Sequence, residues 1–283
     1  MIMRSVVHLE KSSESNHIFQ LLVFMPLRRM PGFMLWQVVV MALLASLLHL
    51  IHQRFISSFP VHHQGIIIIT GASSGIGRHA AEHLARKGYH VLAGVRRDDD
   101  FNEIETRRFT GHCPHLYALK LEVTSNESIQ AAAEEVRRIM TSTDLPLVAL
   151  VNNAGIGGGL AIEMESLANV RAVFEVNVFG VLATTQAFLP MLRSSRGRIV
   201  MVSSTAGFLC GPMFGIYCAS KHALEGISDA LRMEVAGQGI SVSIIQPGYV
   251  NTNFITAASN RLEVIGSNEA HSLYEDALRK YQV

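Results

Sequence analysis

The sequence predicts a doubly wound α/β domain, a parallel sheet with helices on both faces, behind an apolar N-terminal helix. Three observations predict it. Four consecutive isoleucines precede a glycine-rich turn, strand-like and helix-like segments then alternate, and Gly32 to Ile51 carries no formal charge. A strand buried on both faces of a parallel sheet reads as a continuous aliphatic run, and alternating strand and helix patterns mark βαβ units.

The first strand is expected over Gly65 to Thr70. From Ile76 the apolar positions Ile76, Ala80, Leu84 and Ala85 recur at helical spacing, and Gly88 follows as a C-cap. Between strand and helix runs Thr70-Gly71-Ala72-Ser73-Ser74-Gly75-Ile76-Gly77. Gly71, Gly75 and Gly77 let the backbone turn tightly and approach a pyrophosphate, whose charge the helix N-terminus stabilises. Glycines alone mark ordinary turns, so it is the strand-turn-helix context that points to a nucleotide site.

A second strand ends in His90-Val91-Leu92-Ala93-Gly94-Val95-Arg96-Arg97, and Asp98, Asp99 and Asp100 then read as a solvated helix start. Leu119 to Val123 reads as a third strand, and Thr124-Ser125-Asn126-Glu127 as a capping box opening a helix through Met140. Leu147 to Val151 reads as a buried strand running into Asn152-Asn153-Ala154-Gly155. Near the end, the apolar strand Ile240 to Ile245 leads into Pro247-Gly248-Tyr249-Val250-Asn251-Thr252, and Glu269 to Tyr281 reads as a helix.

The residues with chemistry lie between these last two strands. Tyr217 and Lys221 stand four apart in Tyr217-Cys218-Ala219-Ser220-Lys221, with Ser204 upstream in Val202-Ser203-Ser204. If Ile216 to Val235 is helical, the two side chains share a face. A tyrosine of pKa about 10 is a poor proton donor or acceptor near neutrality. A neighbouring ammonium lowers the cost of the phenolate and moves Tyr217 toward acid/base chemistry. A Tyr-x-x-x-Lys pair alone is usually a surface contact, and Ser-Ser after a strand is usually a turn. Their coincidence with the glycine loop, Asn152-Asn153-Ala154-Gly155 and Pro247-Gly248 sets them apart from chance.

Together these residues resemble the short-chain dehydrogenase/reductase family, over roughly Gly65 to Thr252. The resemblance implies a Rossmann-type fold and a catalytic set of Asn177, Ser204, Tyr217 and Lys221. Tyr217 would transfer a proton, Lys221 would hydrogen-bond the nicotinamide ribose and Ser204 would polarise the substrate oxygen. Asn177, in Phe174-Glu175-Val176-Asn177-Val178-Phe179-Gly180, matches the position holding a water that leads from Lys221 to solvent. The implied cofactor site takes Gly71, Ser73, Ser74, Gly75, Ile76 and Gly77 at the turn. It continues through Asn153, Ala154 and Gly155 along the cleft, and Pro247, Gly248, Val250 and Thr252 at the carboxamide end, beside Tyr217 and Lys221.

The family usually has Asp just before the valine at Val123, holding the adenine amino group, and this chain has Glu122. NAD-using members usually place an acid at the slot of Val95, to accept from the ribose 2′-hydroxyl. Here Arg96 follows instead, and a guanidinium pairs with a 2′-phosphate. NADP(H) is therefore expected in preference to NAD(H).

Residues 1–31 are read as an N-terminal extension, 32–51 as a transmembrane anchor, 52–64 as a linker and 65–283 as the enzyme domain. About twenty uncharged residues suffice for a hydrocarbon layer of about 30 Å. Ile18 to Leu27 is apolar but too short to span. Arg28 and Arg29 before the span against Arg54 after it slightly favour a cytosolic N-terminus. A sugar on the sequon Asn126-Glu127-Ser128 would support a lumenal domain.

Anchored members resembling this chain imply an endoplasmic reticulum membrane and act on steroids, retinoids and long-chain lipid carbonyls. The uncharged segment Thr205 to Gly215 suits an apolar alcohol or ketone. A homodimer is a possible assembly. After Thr252 the sequence leaves about thirty residues, so an incomplete substrate cover is expected. Two alternatives stand beside the reductase: a membrane-bound nucleotide-binding protein without turnover, and an NAD-dependent dehydrogenase.

Other classes are excluded. Lys+Arg 24 against Asp+Glu 23, with no basic run among aromatics, argues against nucleic acid. His79-Ala80-Ala81-Glu82-His83 spells H-x-x-E-H, a zinc-peptidase pattern. Its imidazoles lie off the apolar stripe, so it reads as a surface pair and no metal is expected. Cys113, Cys210 and Cys218 lack paired spacing, which implies no disulfide framework, and Cys218 reads as a packing residue.

Overall fold

The structure, a computed structural model, describes residues 32–55, 59, 61–252, 254 and 272–275, with the side chains of its first helix described over 36–48. The chain divides into two units between Ser57 and Ser58. In the first, helix α1 spans Gly32–Phe55, 24 residues. At about 1.5 Å per residue it is about 36 Å long. It continues past Ile51 into the segment read as linker. Trp36, Met41, Leu43, Leu44, Leu47 and Leu48 are all exposed. The extension 1–31, with Ile18 to Leu27, lies outside the described residues, as does most of the helix expected over Glu269 to Tyr281.

The second unit alternates strands and helices: β1 Ile66–Thr70, α2 Gly75–Arg86, β2 His90–Val95, α3 Asp98–Phe109, β3 Leu116–Lys120, α4 Asn126–Thr143 and β4 Leu147–Asn152. It continues through α5 Leu167–Phe174, α6 Gly180–Ser195, β5 Arg198–Val202, α7 Gly215–Ala236 and β6 Ser241–Ile245. The strands form one sheet in the order β3-β2-β1-β4-β5-β6. Every ladder is parallel. The order reverses between β1 and β4, the point where open α/β sheets leave a crevice at the strands' carboxyl ends.

The four isoleucines of β1 serve both layers. Ile66 and Ile68 pack with Ile129, Val136, Phe188 and Leu192 of α4 and α6. Ile67 and Ile69 pack with Ala81, Ala85 and Ile104 of α2 and α3. That two-sided burial is why the strand has no polar alternation.

Several boundaries differ from expectation for local reasons. The third strand is Leu116–Lys120, three residues earlier than Leu119 to Val123. Lys120 pairs with Val95 at the last rung, and Leu121, Glu122 and Val123 then leave the ladder and wall the crevice. In α2 the buried stripe is Gly77, Ala81 and Ala85, while Ile76 turns to the crevice. Gly88 has φ +92° and donates its N–H to Ala85 O at 3.0 Å, the expected C-cap. His79 and His83 are exposed, and Glu82 between them pairs with Arg78, Arg86 and Arg107.

The cap of α4 is Ser125, whose Oγ accepts from Ser128 N at 3.2 Å. Thr124 instead bonds the Glu122 carboxylate. Ser128 Oγ accepts from Glu122 N at 2.9 Å, so the sequon hydroxyl is engaged and Asn126 is fixed in the first helical turn.

Between α5 and α6 the helix widens into a π-turn over Glu175–Phe179, closed by Gly180 N–H donating to Glu175 O. The whole stretch Leu167–Ser195 is long and apolar enough to cross a membrane by length and composition. Thr184, Thr185, Phe188 and Leu192 are buried against the sheet, so it serves here as a core helix.

Candidate active site

A cavity of about 770 Å³ opens at the carboxyl ends of β1 and β4. Its floor is the turn between β1 and α2. Gly71 and Gly75 have φ +62° and +56°, which L side chains rarely adopt. A Cβ on Gly71 would sit 2.8 Å from Ala154 Cα, and one on Gly77 would collide with Asn153 Nδ2 and sit 2.6 Å from Gly71 O. Thr70 Oγ1 accepts from Asn153 N at 3.0 Å and Ala154 N at 2.9 Å, and Asn153 Nδ2 donates to Thr70 O at 2.9 Å. The turn and the start of the loop after β4 are therefore one bonded unit. The bare backbone of Gly71 and Gly75, at a helix N-terminus, forms a cradle that fits a pyrophosphate.

At the end of β2, Val95 is buried and Arg96 is exposed, both on the cavity wall. Arg96 Nη1 lies 3.8 Å from Glu122 Oε2, a solvent-facing pair. Such pairs contribute about 0–1 kcal/mol, so Arg96 can exchange Glu122 for an anion.

The other end of the cavity gathers Ser204, Tyr217 and Lys221. Ser204 caps the 3₁₀ turn Thr205–Gly207 after β5, its Oγ accepting from Ala206 N at 3.1 Å. Its hydroxyl also acts on the Tyr217 phenol, holding its pKa below what burial alone would give. Lys221 is buried, and its Nζ donates to Val202 O at 2.9 Å, 5.7 Å from the Tyr217 ring centroid. Burial lowers its pKa to about 8, opposed by Glu225 one turn on. The expected easing of Tyr217 by Lys221 is not what the structure shows. Burial pushes the phenol upward, and the Ser204 hydroxyl pulls it part of the way back. The ammonium is instead committed to the Val202 carbonyl.

Asn177 lies in the π-turn, behind the cavity wall. Its Oδ1 accepts from Ile156 N at 2.8 Å, and its Nδ2 donates to Ile156 O at 2.9 Å and Ser220 Oγ at 3.0 Å. Its side chain thus ties the loop after β4 to α7. Gly155 lies between: a Cβ there would be 3.4 Å from Asn177 Oδ1 and 3.7 Å from Lys221 Nζ.

Ser73, Ser74, Ile76, Glu122, Val123, Asn153, Ala154, Gly155, Pro247, Gly248, Val250 and Thr252 all line the cavity. Gly77 and Asn177 do not; both act from behind it. Of the uncharged segment Thr205 to Gly215, only Thr205, Ala206, Met213 and Phe214 line it, and Phe208 and Leu209 are exposed elsewhere. Sequence reasoning missed Gly157, Gly158, Gly159 and Leu160, whose glycine run was the available signal, and Phe254, 5.7 Å from the Tyr217 ring.

A parallel sheet with its glycine turn at the reversal point and a Ser-Tyr-Lys group at the same crevice defines a dinucleotide-dependent oxidoreductase. This chain belongs to the short chain dehydrogenase family, whose sequence pattern matches residues 65–263. It is 43% identical over 192 residues to the uncharacterized oxidoreductase YbbO of Escherichia coli K12, covering 68% of each chain. It is 38% identical over 200 residues to rat retinol dehydrogenase 16, covering 69% of this chain and 60% of the relative.

Among solved structures, a Burkholderia phymatum short chain dehydrogenase/reductase in complex with NAD superposes with TM-score 0.66 at 26% identity, over 79% of this chain and 83% of that one. A single-substitution variant of the actinorhodin polyketide ketoreductase with NADPH gives TM-score 0.63 at 29% identity, over 78% of each chain. A nicotinamide dinucleotide and a small-molecule substrate are therefore proper to this family.

Proposed function

We propose that this protein is an NADP(H)-dependent oxidoreductase of lipophilic alcohols and ketones, held at a membrane by α1. The observation that carries the reading is one cavity joining the glycine cradle to Ser204, Tyr217 and Lys221. When bound, the nicotinamide supplies or accepts the hydride. The protein's own groups do the rest. Ser204 orients the substrate oxygen toward Tyr217, and Tyr217 gives it a proton in reduction and takes one in oxidation. Lys221, fixed by Val202 O, places its charge beside the phenol and would hold the ribose of the bound cofactor. Asn177 holds the Gly155–Ile156 segment in place.

Arg96, with no acid at Val95, supports the 2′-phosphate form of the cofactor. Among the described residues lining the cavity, the charged ones are Arg96, Glu122 and Lys221. The wall beyond Tyr217 is Leu160, Met213, Phe214 and Phe254, which suits an apolar carbonyl. The exposed Trp36, Met41 and Leu44 of α1 support membrane anchoring, and the likeness to a retinol dehydrogenase supports a lipophilic alcohol as substrate.

The test is a fluorescence titration of the detergent-solubilised chain with NADPH and NADH. A panel of steroid, retinoid and long-chain carbonyls then follows, read by loss of NADPH absorbance. Tighter NADPH binding with turnover of one panel class is expected. Binding of neither nucleotide, or binding without turnover of any carbonyl, overturns the reading.

A further inference from the structure

Two kinds of glycine build this site. Gly71 and Gly75 hold a φ that L side chains rarely adopt, and Gly77 has no room for a methyl. Gly159 is different. Its φ lies outside the left-handed region, and a Cβ built on it would meet Met213 O and Phe214 Cε1, each at 3.7 Å, an ordinary contact distance. Among the described residues beyond its chain neighbours, nothing else lies within 4 Å of that Cβ. Neither backbone nor packing therefore requires glycine at this position. Glycine loses more conformational freedom on folding than any other residue, so a glycine the fold does not require serves by the space it leaves.

That space belongs to the cavity. Gly159, Met213 and Phe214 all line it, so a side chain longer than that of Ala would grow into it or push the Phe214 ring aside. Gly158 faces the other way, with a Cβ 3.3 Å from Glu165 Oε1 and 3.7 Å from Val173 Cγ2, neither of which lines the cavity. Phe214 is held from behind. Its carbonyl accepts from Cys218 N at 2.8 Å at the start of α7, one turn before Tyr217. Met213 beside it holds φ +69° and packs with Leu160, Ala161 and Met164, against which Phe214 also lies. A non-glycine residue keeps that conformation only where its surroundings fix it.

We propose that Gly159 sets the width of the substrate end against Phe214, and that the carbonyl admitted there is broad and ring-bearing, its flat face laid on the bare Gly159 backbone. This rests on the oxidoreductase reading and narrows it. A thin linear ketone has no use for the space, whereas a fused-ring ketone fills it. An apolar pocket reads one methylene of size as about ten- to two-hundredfold in kcat/KM.

The experiment uses the full solubilised chain and two ketones of equal carbon count, fused-ring decalone and linear decanone. Calorimetric titration of each into the NADP⁺-loaded chain reads binding without turnover, and NADPH oxidation then reads kcat/KM. The parent chain should favour decalone. Gly159→Val should lower the ratio of decalone to decanone by about tenfold or more in both readouts. Gly159→Ala, whose methyl the wall accepts, should move the ratio the same way by less, and Phe214→Ala added to Gly159→Val should restore part of it. NADPH affinity should hold in all three, which separates a change of width from damage to the fold. A ratio unchanged in both Gly159 variants, or a parent chain that favours decanone, overturns the inference and leaves the proposed activity standing. Binding that follows the expected ratios without turnover overturns the proposed activity and keeps the inference. Binding of neither ketone overturns both.

Discussion

The Lys221 ammonium lies 5.7 Å from the centroid of the Tyr217 ring, yet donates its hydrogen bond to the Val202 carbonyl at 2.9 Å. Lys221 is therefore held by the end of β5, while the Ser204 hydroxyl acts on the Tyr217 phenol. With its pKa lowered to about 8, Lys221 loses its charge as pH rises through that value. A kcat/KM profile that falls above about pH 8 is expected.

The same shift has a consequence for stability. Unfolded Lys221 keeps its proton to about 10.5, and folded Lys221 releases it near about 8. Across that window the unfolded state binds more protons, so stability rises with pH, and the cost of the buried charge is present in full below about 8. Denaturant midpoints measured at about pH 7 and about pH 10 should show the contribution; Lys221→Met should flatten it.

Tyr217→Phe keeps the ring against Phe254 and removes the hydroxyl. NADPH binding should survive, and turnover of any active carbonyl should fall by roughly 10²–10⁴-fold. Equal rates in the two proteins would refute the assigned proton transfer.

Gly77→Ala places a methyl 2.6 Å from the Gly71 carbonyl, a backbone atom that cannot turn aside. Overpacking of this kind costs about 1–3 kcal/mol. A lowered thermal midpoint together with weakened NADPH binding is expected, because the same shift would displace the cradle.

Arg96→Asp reverses charge where the 2′-phosphate would lie, beside Glu122. Charge-assisted hydrogen bonds contribute about 1.5–3 kcal/mol, so NADPH affinity should drop about ten- to a hundredfold. NADH affinity should hold or improve. Parallel losses for both nucleotides would instead point to a damaged wall.

The sequence made the strands flanking the crevice legible because Ile66 to Ile69 and Leu147 to Val151 pack into both helical layers and form unbroken aliphatic runs. It misplaced β3, where the half-exposed Tyr117 and Ala118 blur the pattern and the clean apolar residues Leu121 and Val123 belong to the cavity instead. The i, i+4 spacing placed Tyr217 and Lys221 on one face but said nothing of Val202, because a backbone acceptor leaves no mark in residue identity.

The π-turn at Glu175–Phe179 puts the helix through Leu167–Ser195 one residue out of phase with itself. At 3.6 residues per turn, removing that residue would swing everything on one side of it by about 100° relative to the other. Either Asn177 would leave Ile156 and Ser220, or Phe188 and Leu192 would leave the sheet. A search for more stable variants would therefore find the regular helix within one deletion, and find it useless, since core and site read the same helix in two registers.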